Sequence, residues 1–381
     1  MAETADDDEL LFANEAESEA EGEGEAVGSA PPPWTVLIVD DDPEVHAITR
    51  VVLGDATFQD RGIAFLSAHS AGEASALLRG TDDIAAVLLD VVMETDDAGL
   101  RLVRFIREEL GNRHIRIILR TGQPGRAPER QVIVDYDIND YRAKSELTAQ
   151  TLFTATVAAL RSYQHICAIE QGRRGLEDAQ RATVHALGKL AEFKDEVTGD
   201  HVRRIGRWTT AIARRLRADG MFPDIVDERF CEQIGLASML HDVGKVGVPD
   251  HILRKPARLD PQEMDVMRGH AAIGGQILRE ASGNVHGRNC LTLGAEIAES
   301  HHEKWDGSGY PLGLAGDAIP LSGRIVAVAD VYDALLHRRP YKEAWDHRDA
   351  LDLIRHEAGT HFDPRVVDAF LKVLDGQDAP E

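Results

Sequence analysis

Cysteine is scarce in this sequence, with three residues, Cys167, Cys231 and Cys290, in a chain of 381. They lie far apart, make no Cys-x-x-Cys pair and are odd in number. That excludes a disulfide framework and leaves reduced thiols of a cytoplasmic protein as the expectation. Long apolar runs are missing as well. No window reaches the roughly 18 apolar residues of a membrane span, and the start lacks the basic-then-apolar order of a secretion signal. No membrane association is expected, and the chain is placed in the cytoplasm. Positive charge is short too: 42 lysines and arginines stand against 66 aspartates and glutamates, for a formal net charge of −24. Such a field repels bare polyanions, so direct DNA binding is not expected.

What is present fits a globular chain of two or three domains, 43% hydrophobic and 28% charged. Residues 1–33 hold eleven acidic and no basic side chains and end in Pro31-Pro32-Pro33. Too little apolar surface is available to offset ordering entropy, so a disordered acidic tail is expected there. From 34 to 160, short apolar runs (Val36–Val39, Ile63–Leu66, Ile84–Leu89, Ile115–Leu119, and a short strand near Ile138) alternate with helical stretches. Those stretches include Pro43–Leu53, Ala71–Leu78 and Gly99–Leu110. This pattern predicts an α/β doubly wound domain with a parallel five-stranded sheet. Residues 161–195 read as a helical linker. Leu176, Ala179, Thr183, Ala186, Leu190 and Phe193 fall near heptad spacing, which fits either a coiled-coil dimer or a helix packed on its own domain. Residues 196–381 read as an all-α domain.

Asp40 and Asp41 end the first strand and Asp90 the third; Thr121 ends the fourth, and Lys144 follows the fifth. In a doubly wound sheet these strand ends share one edge, where ligands bind. Converging carboxylates repel one another unless a hard cation neutralises them, and Mg²⁺ suits that role. One aspartate is then free to accept a phosphoryl group. The segments Val39-Asp40-Asp41-Asp42-Pro43, Leu88-Leu89-Asp90-Val91, Leu119-Arg120-Thr121-Gly122 and Tyr141-Arg142-Ala143-Lys144 resemble a response-regulator receiver domain. The resemblance implies Asp90 as phosphoacceptor, Asp40 and Asp41 as Mg²⁺ ligands, Tyr141 as switch aromatic and a sensor histidine kinase as partner. Ser145 stands where that family usually has proline, and Met93-Glu94 replaces its Met-Pro.

The second half concentrates histidine. His201, His241-Asp242, His270, His301-His302 and Asp330 offer imidazole and carboxylate, the usual ligands of Fe, Mn, Zn or Ni. A vicinal pair on a helix points about 100° apart, so it reaches two sides of one site, and Asp242 can bridge two ions. Two ions a few Å apart clamp a phosphate for in-line attack. Lys245, one turn beyond Asp242 if the helix continues, Tyr310 in the turn-rich loop Asp306–Pro311, and the pair Arg339 and Lys342 suit a phosphodiester. His251, His286, His337, His347, His356 and His361 read as ordinary surface or core residues.

The strings His241-Asp242-Val243-Gly244-Lys245, His301-His302-Glu303-Lys304-Trp305-Asp306-Gly307-Ser308-Gly309-Tyr310-Pro311 and Arg339-Pro340-Tyr341-Lys342 resemble the HD-GYP branch of the HD superfamily. The resemblance implies hydrolysis of cyclic di-GMP to pGpG, with Asp242 and Lys245 in catalysis. It implies His241, Asp242, His270, His301, His302 and Asp330 as metal ligands, with His201 an additional ligand or a supporting group. Lys245, Tyr310, Arg339 and Lys342 would contact the substrate, and iron would be the metal, with manganese the alternative. Three-metal members carry a glutamate four residues before the position of His201. Here Val197 stands there and Glu196 is one residue off, so a two-metal centre and arrest at pGpG are expected. The joint resemblance makes the receiver an input that controls the hydrolase through its phosphorylation. The competing expectation is a signalling module that binds a nucleotide or partner protein with weak or no catalysis.

Overall fold

The computed structural model describes residues 31–122, 133, 134, 136, 138–144, 148–194, 200–283, 287, 289–337 and 344–376. Glu196, Val197, Ser145, His286, Arg339 and Lys342, which carry sequence-based expectations, and most of the acidic tail lie outside these residues. The chain divides into two compact units, Met1–Gly172 and Arg173–Glu381, and the division falls inside the segment read as a linker.

The first unit is the predicted doubly wound domain. Its strands are β1 (Trp34–Val39), β2 (Ile63–Ala68), β3 (Ile84–Asp90), β4 (Arg116–Thr121) and β5 (Asp140–Ala143), all parallel, in the order β2-β1-β3-β4-β5. Its helices are α1 (Pro43–Leu53), α2 (Ala71–Gly80) and α3 (Ala98–Arg104). Strand alternation sorts the core into two layers. Val36, Ile38, Leu88 and Ile118 pack with Leu53, Leu152 and Leu160 on one face, while Leu37, Val87, Leu89, Ile117 and Leu119 pack with Leu78, Leu102 and Ile106 on the other. Asp42 caps α1 by accepting the Glu44 N–H, and Pro43 occupies the first turn, where a missing donor costs nothing.

Two expected elements differ. The helix from Gly99 to Leu110 is α-helical only to Arg104 and then widens into a π-type turn, Phe105–Glu109. The wider turn keeps Phe105 and Ile106 buried behind Leu102 and Val103. The last strand begins at Asp140 rather than near Ile138. Asn139 bridges to Ile117 through both its side chain and its N–H, so Ile138 lies just before the strand.

A single helix, α4, spans Ala149–Lys194. The second unit continues with α5 (His201–Ala218), α6 (Glu228–Ser238), α7 (Asp250–Leu253), α8 (Pro261–Ser282), α9 (Cys290–Ser300), α10 (Leu321–Leu336), α11 (His347–His356) and α12 (Pro364–Asp375). Among its described residues there is no strand, only one isolated bridge between Ala358 and Phe362. Helix α10 is apolar nearly all round and is buried against Ile212, Ile234, Phe362 and Phe370. That burial matters for the site, because α10 carries Asp330 and Asp333 into the interior. No helix among the described residues is long and apolar enough to cross a membrane.

Candidate functional site

Five segments bring the second unit's site together. His201 opens α5, His241 and Asp242 follow α6, His270 sits in α8, His301 and His302 follow α9, and Asp330 lies in α10. The candidate ligand atoms fall into two groups, each within 4.8 Å: Asp242, His270, His301 and His302, and His201, His241 and Asp330. Asp242 connects them. Its Oδ1 lies 3.4 Å from His270 Nε2 and 3.8 Å from His301 Nε2, while its Oδ2 lies 3.2 Å from His241 Nε2. Asp330 Oδ1 lies 3.4 Å from His201 Nε2 and 4.0 Å from His241 Nε2.

The rings are set by bonds on their far side. His241 Nδ1–H donates to Ser238 O at 2.8 Å, His270 Nδ1–H to Met267 O at 2.6 Å, and His301 Nδ1–H to Ile297 O and Ala298 O at 3.1 Å. Each donation fixes the tautomer and leaves a lone pair on Nε2. Those three Nε2 atoms are buried and make no hydrogen bond. An unpartnered buried acceptor is costly, and a divalent metal is the partner that satisfies several at once. The donor set therefore fits a metal centre.

Charge agrees. Lys245, His241 and His270 hold the Asp242 carboxyl well below its ordinary range against the cost of burial. Burial and the neighbouring His241 push His301 down to about 4, and burial with His301 holds His302 well below the usual imidazole range. For His241 burial opposes the charge, but Asp242 and Asp330 outweigh it and raise the ring to about 9. Asp242 and Asp330 thus favour positive charge at His241, a proton or, in its place, a bound cation, while His301 and His302 stay neutral donors.

Lys245 Nζ stands 2.8 Å from Asp242 Oδ2, but not by the route expected. Helix α6 ends at Ser238, and a 3₁₀ turn, Val243–Gly247, carries Lys245 instead. At three residues per turn, positions 242 and 245 eclipse, which aligns the two side chains more closely than an α-helix would. Gly244 makes this turn possible: a Cβ there would meet His270 O at 1.9 Å and Gly274 N at 2.4 Å. Tyr310 stacks on His302 with ring centroids 4.7 Å apart. Its loop wraps around buried Glu303, whose carboxylate accepts the N–H groups of Leu312 at 2.7 Å and Leu314 at 3.0 Å.

The first unit's pocket sits at the strand ends. Asp40, Asp41 and Asp90 offer oxygens within 4.8 Å of one another, Asp41 being exposed and the other two buried. Lys144 Nζ lies 2.7 Å from Asp90 Oδ2 and 3.2 Å from Asp40 Oδ2. Burial outweighs Lys144 and raises the Asp90 carboxyl. Thr121, at the end of β4, and Tyr141, in β5, are both buried.

An HD-domain family model matches residues 186–366. The 3'3'-cGAMP-specific phosphodiesterase 2 of Vibrio cholerae is 33% identical, over 96% of this chain and 96% of that protein. The cyclic di-GMP phosphodiesterase response regulator RpfG of Xanthomonas campestris is 36% identical, over 88% of this chain and 87% of its own. The chain belongs to the HD-GYP response regulators. Its second unit is accordingly of a metal-dependent hydrolase family, and its first has the receiver fold.

Three supporting residues of this HD-GYP site were not singled out from sequence. Asp333 Oδ2 accepts from His201 Nδ1 at 2.6 Å and is also paired with Arg204; burial opposes its charge, yet both partners hold its carboxyl down to about 2. Glu303 shapes the Tyr310 loop. The signal for Asp333 is its place three residues after Asp330, on the same helical face; Glu303 lies within the motif His301–Pro311.

Proposed function

We propose that this chain hydrolyses cyclic di-GMP to pGpG at a two-metal centre, under control of phosphorylation at Asp90. The observation that carries the reading is the convergence of the buried Nε2 atoms of His241, His270 and His301, none of them hydrogen-bonded, on the Asp242 carboxylate. In this reading His270, His301 and His302 hold one ion, His201, His241 and Asp330 the other, and Asp242 both. Iron is the favoured metal, with manganese the alternative. When bound, the ions supply Lewis acidity and a clamp for the phosphate. Lys245 neutralises charge on the phosphate oxygens and, with Asp242, forms the catalytic pair. Tyr310, stacked on His302, borders the substrate, and Arg339 and Lys342 are assigned as further substrate contacts. In the receiver, Asp40 and Asp41 hold Mg²⁺, Thr121 and Lys144 contact the phosphoryl oxygens and Tyr141 switches. A sensor histidine kinase is the expected donor. Exposed Leu176, Leu190 and Phe193 on α4 support pairing with a second copy.

A second substrate, 3'3'-cGAMP, is favoured by the relative that matches almost the whole chain. The test is metal analysis of anaerobically purified protein, with both cyclic dinucleotides assayed side by side. Accumulating pGpG with about two ions per chain is the expected result. Faster cleavage of 3'3'-cGAMP moves the assignment to that substrate. Metal without turnover of either, even with a phosphoryl mimic at Asp90, moves the chain to the binding-module class. Equal rates with and without proven occupancy of Asp90 remove receiver control.

A further inference from the structure

The receiver pocket contains a second cation besides Lys144. Arg120 is only 3% exposed, directly after the apolar run Ile117–Leu119 of β4. It precedes Thr121 and pairs in register with Asp90. Its Nη2 lies 3.3 Å from Asp40 Oδ2 and its Nη1 3.3 Å from Thr49 Oγ1 of α1.

We propose that Arg120 is a built-in counter-ion that holds Asp40 and keeps the pocket's affinity for a divalent cation low. This rests on the reading of Asp40, Asp41 and Asp90 as a cation site. Asp40 is fully buried and its oxygens are already engaged: Oδ1 accepts the Asp42 N–H at 3.1 Å, while Oδ2 faces Arg120 at 3.3 Å and Lys144 at 3.2 Å. Each of the other two carboxylates keeps an oxygen open, although Lys144 holds Asp90 Oδ2 at 2.7 Å. Asp41 is exposed, and Asp90 Oδ1 is buried without a hydrogen-bond partner. Three carboxylates against Lys144 and Arg120 leave a formal charge of −1; without Arg120 it would be −2. A guanidinium stays charged in proteins, so this cation cannot step aside by losing a proton. Removing a unit charge several Å from a divalent ion strengthens binding by about tenfold or more at the effective dielectric of such sites. Asp41 and Oδ1 of Asp90 then offer the oxygens open to the ion, and Asp40 completes the site while held by Arg120.

The experiment is calorimetric titration of the full, metal-loaded chain with Mg²⁺. Asp41→Asn identifies the receiver isotherm by abolishing it. Arg120→Met is expected to tighten that isotherm by about tenfold or more, and Arg120→Lys, which keeps the charge, to stay within about threefold of the parent. Arg120→Gln carries the same expectation as Arg120→Met if the apolar variant does not fold. Unchanged or weaker binding in the neutral variants, with the Asp41-dependent isotherm intact, overturns the role given to Arg120. Absence of that isotherm from every variant overturns the cation site itself, and the proposal with it.

Discussion

In the receiver pocket, Asp40 and Asp90 face two resident cations, Lys144 and Arg120. In the helical unit, Asp242 and Asp330 face one lysine and a set of imidazole nitrogens whose lone pairs point inward. The first arrangement is nearly neutral before any ion arrives, which suits a hard ion that comes and goes. The second is unfinished without a metal, because buried acceptors remain unsatisfied. Similar residue types thus sit among the protein's own cations in one place and among unsatisfied imidazole nitrogens in the other, and the difference lies in who supplies the positive charge.

The harshest way to break this contrast is to remove the bridge. Asp242→Ala is expected to lower turnover on the order of a thousandfold or more, as several kcal/mol of metal-derived stabilisation is lost. Metal content should fall with it; a variant that keeps full metal and activity would place the bridge elsewhere. Asp333→Asn tests the support of His201. It should cost about 10- to 100-fold in metal affinity or activity, read by metal analysis and kinetics on one preparation. Gly244→Ala tests how the 3₁₀ turn is seated. The overlap with His270 O has no flexible side chain to absorb it, so a loss of about 1–3 kcal/mol is expected, measured by denaturant midpoint. The receiver should be unaffected, since Gly244 has no part in its pocket.

The smallest effect is a pH slope. Burial, aided by Lys304, holds His361 below the ordinary imidazole value, and its ring stacks on Phe362 at 4.2 Å. The unfolded chain takes up that proton first, near about pH 6.5. His361 therefore contributes stability that is present above that pH and is lost as pH falls through it towards the folded value. His361→Gln should flatten the slope of stability between neutral pH and about pH 5; an unchanged slope assigns it to other groups.

Much of this was legible in the sequence because it depends on order along the chain. Strand-end aspartates must share an edge once the sheet is parallel, so Asp40, Asp41 and Asp90 could be placed together. The vicinal pairs His241-Asp242 and His301-His302 announced a shared site. What stayed hidden depends on contacts between distant segments. Arg120 reads as an ordinary polar residue after an apolar run until Asp40 is found beside it. Asp333 has meaning only once His201, 132 residues away, lies at its carboxylate. The end of α6 before His241 was missed because nothing in Ser238–Gly244 breaks helical periodicity strongly; the break comes from the packing of Gly244 on α8.

The imidazole anchors have a consequence for how this site would look to mutagenesis. Ser238, Met267 and the Ile297–Ala298 pair hold His241, His270 and His301 through main-chain carbonyls one turn back along the same segment. An alanine scan deletes side chains and leaves carbonyls in place, so it would pass over all three bonds in silence. Only His201, anchored by a carboxylate, would betray its support. A functional map drawn from such a scan would credit Asp333 with a unique part, although the other three rings are also anchored, by main-chain groups that no side-chain truncation removes.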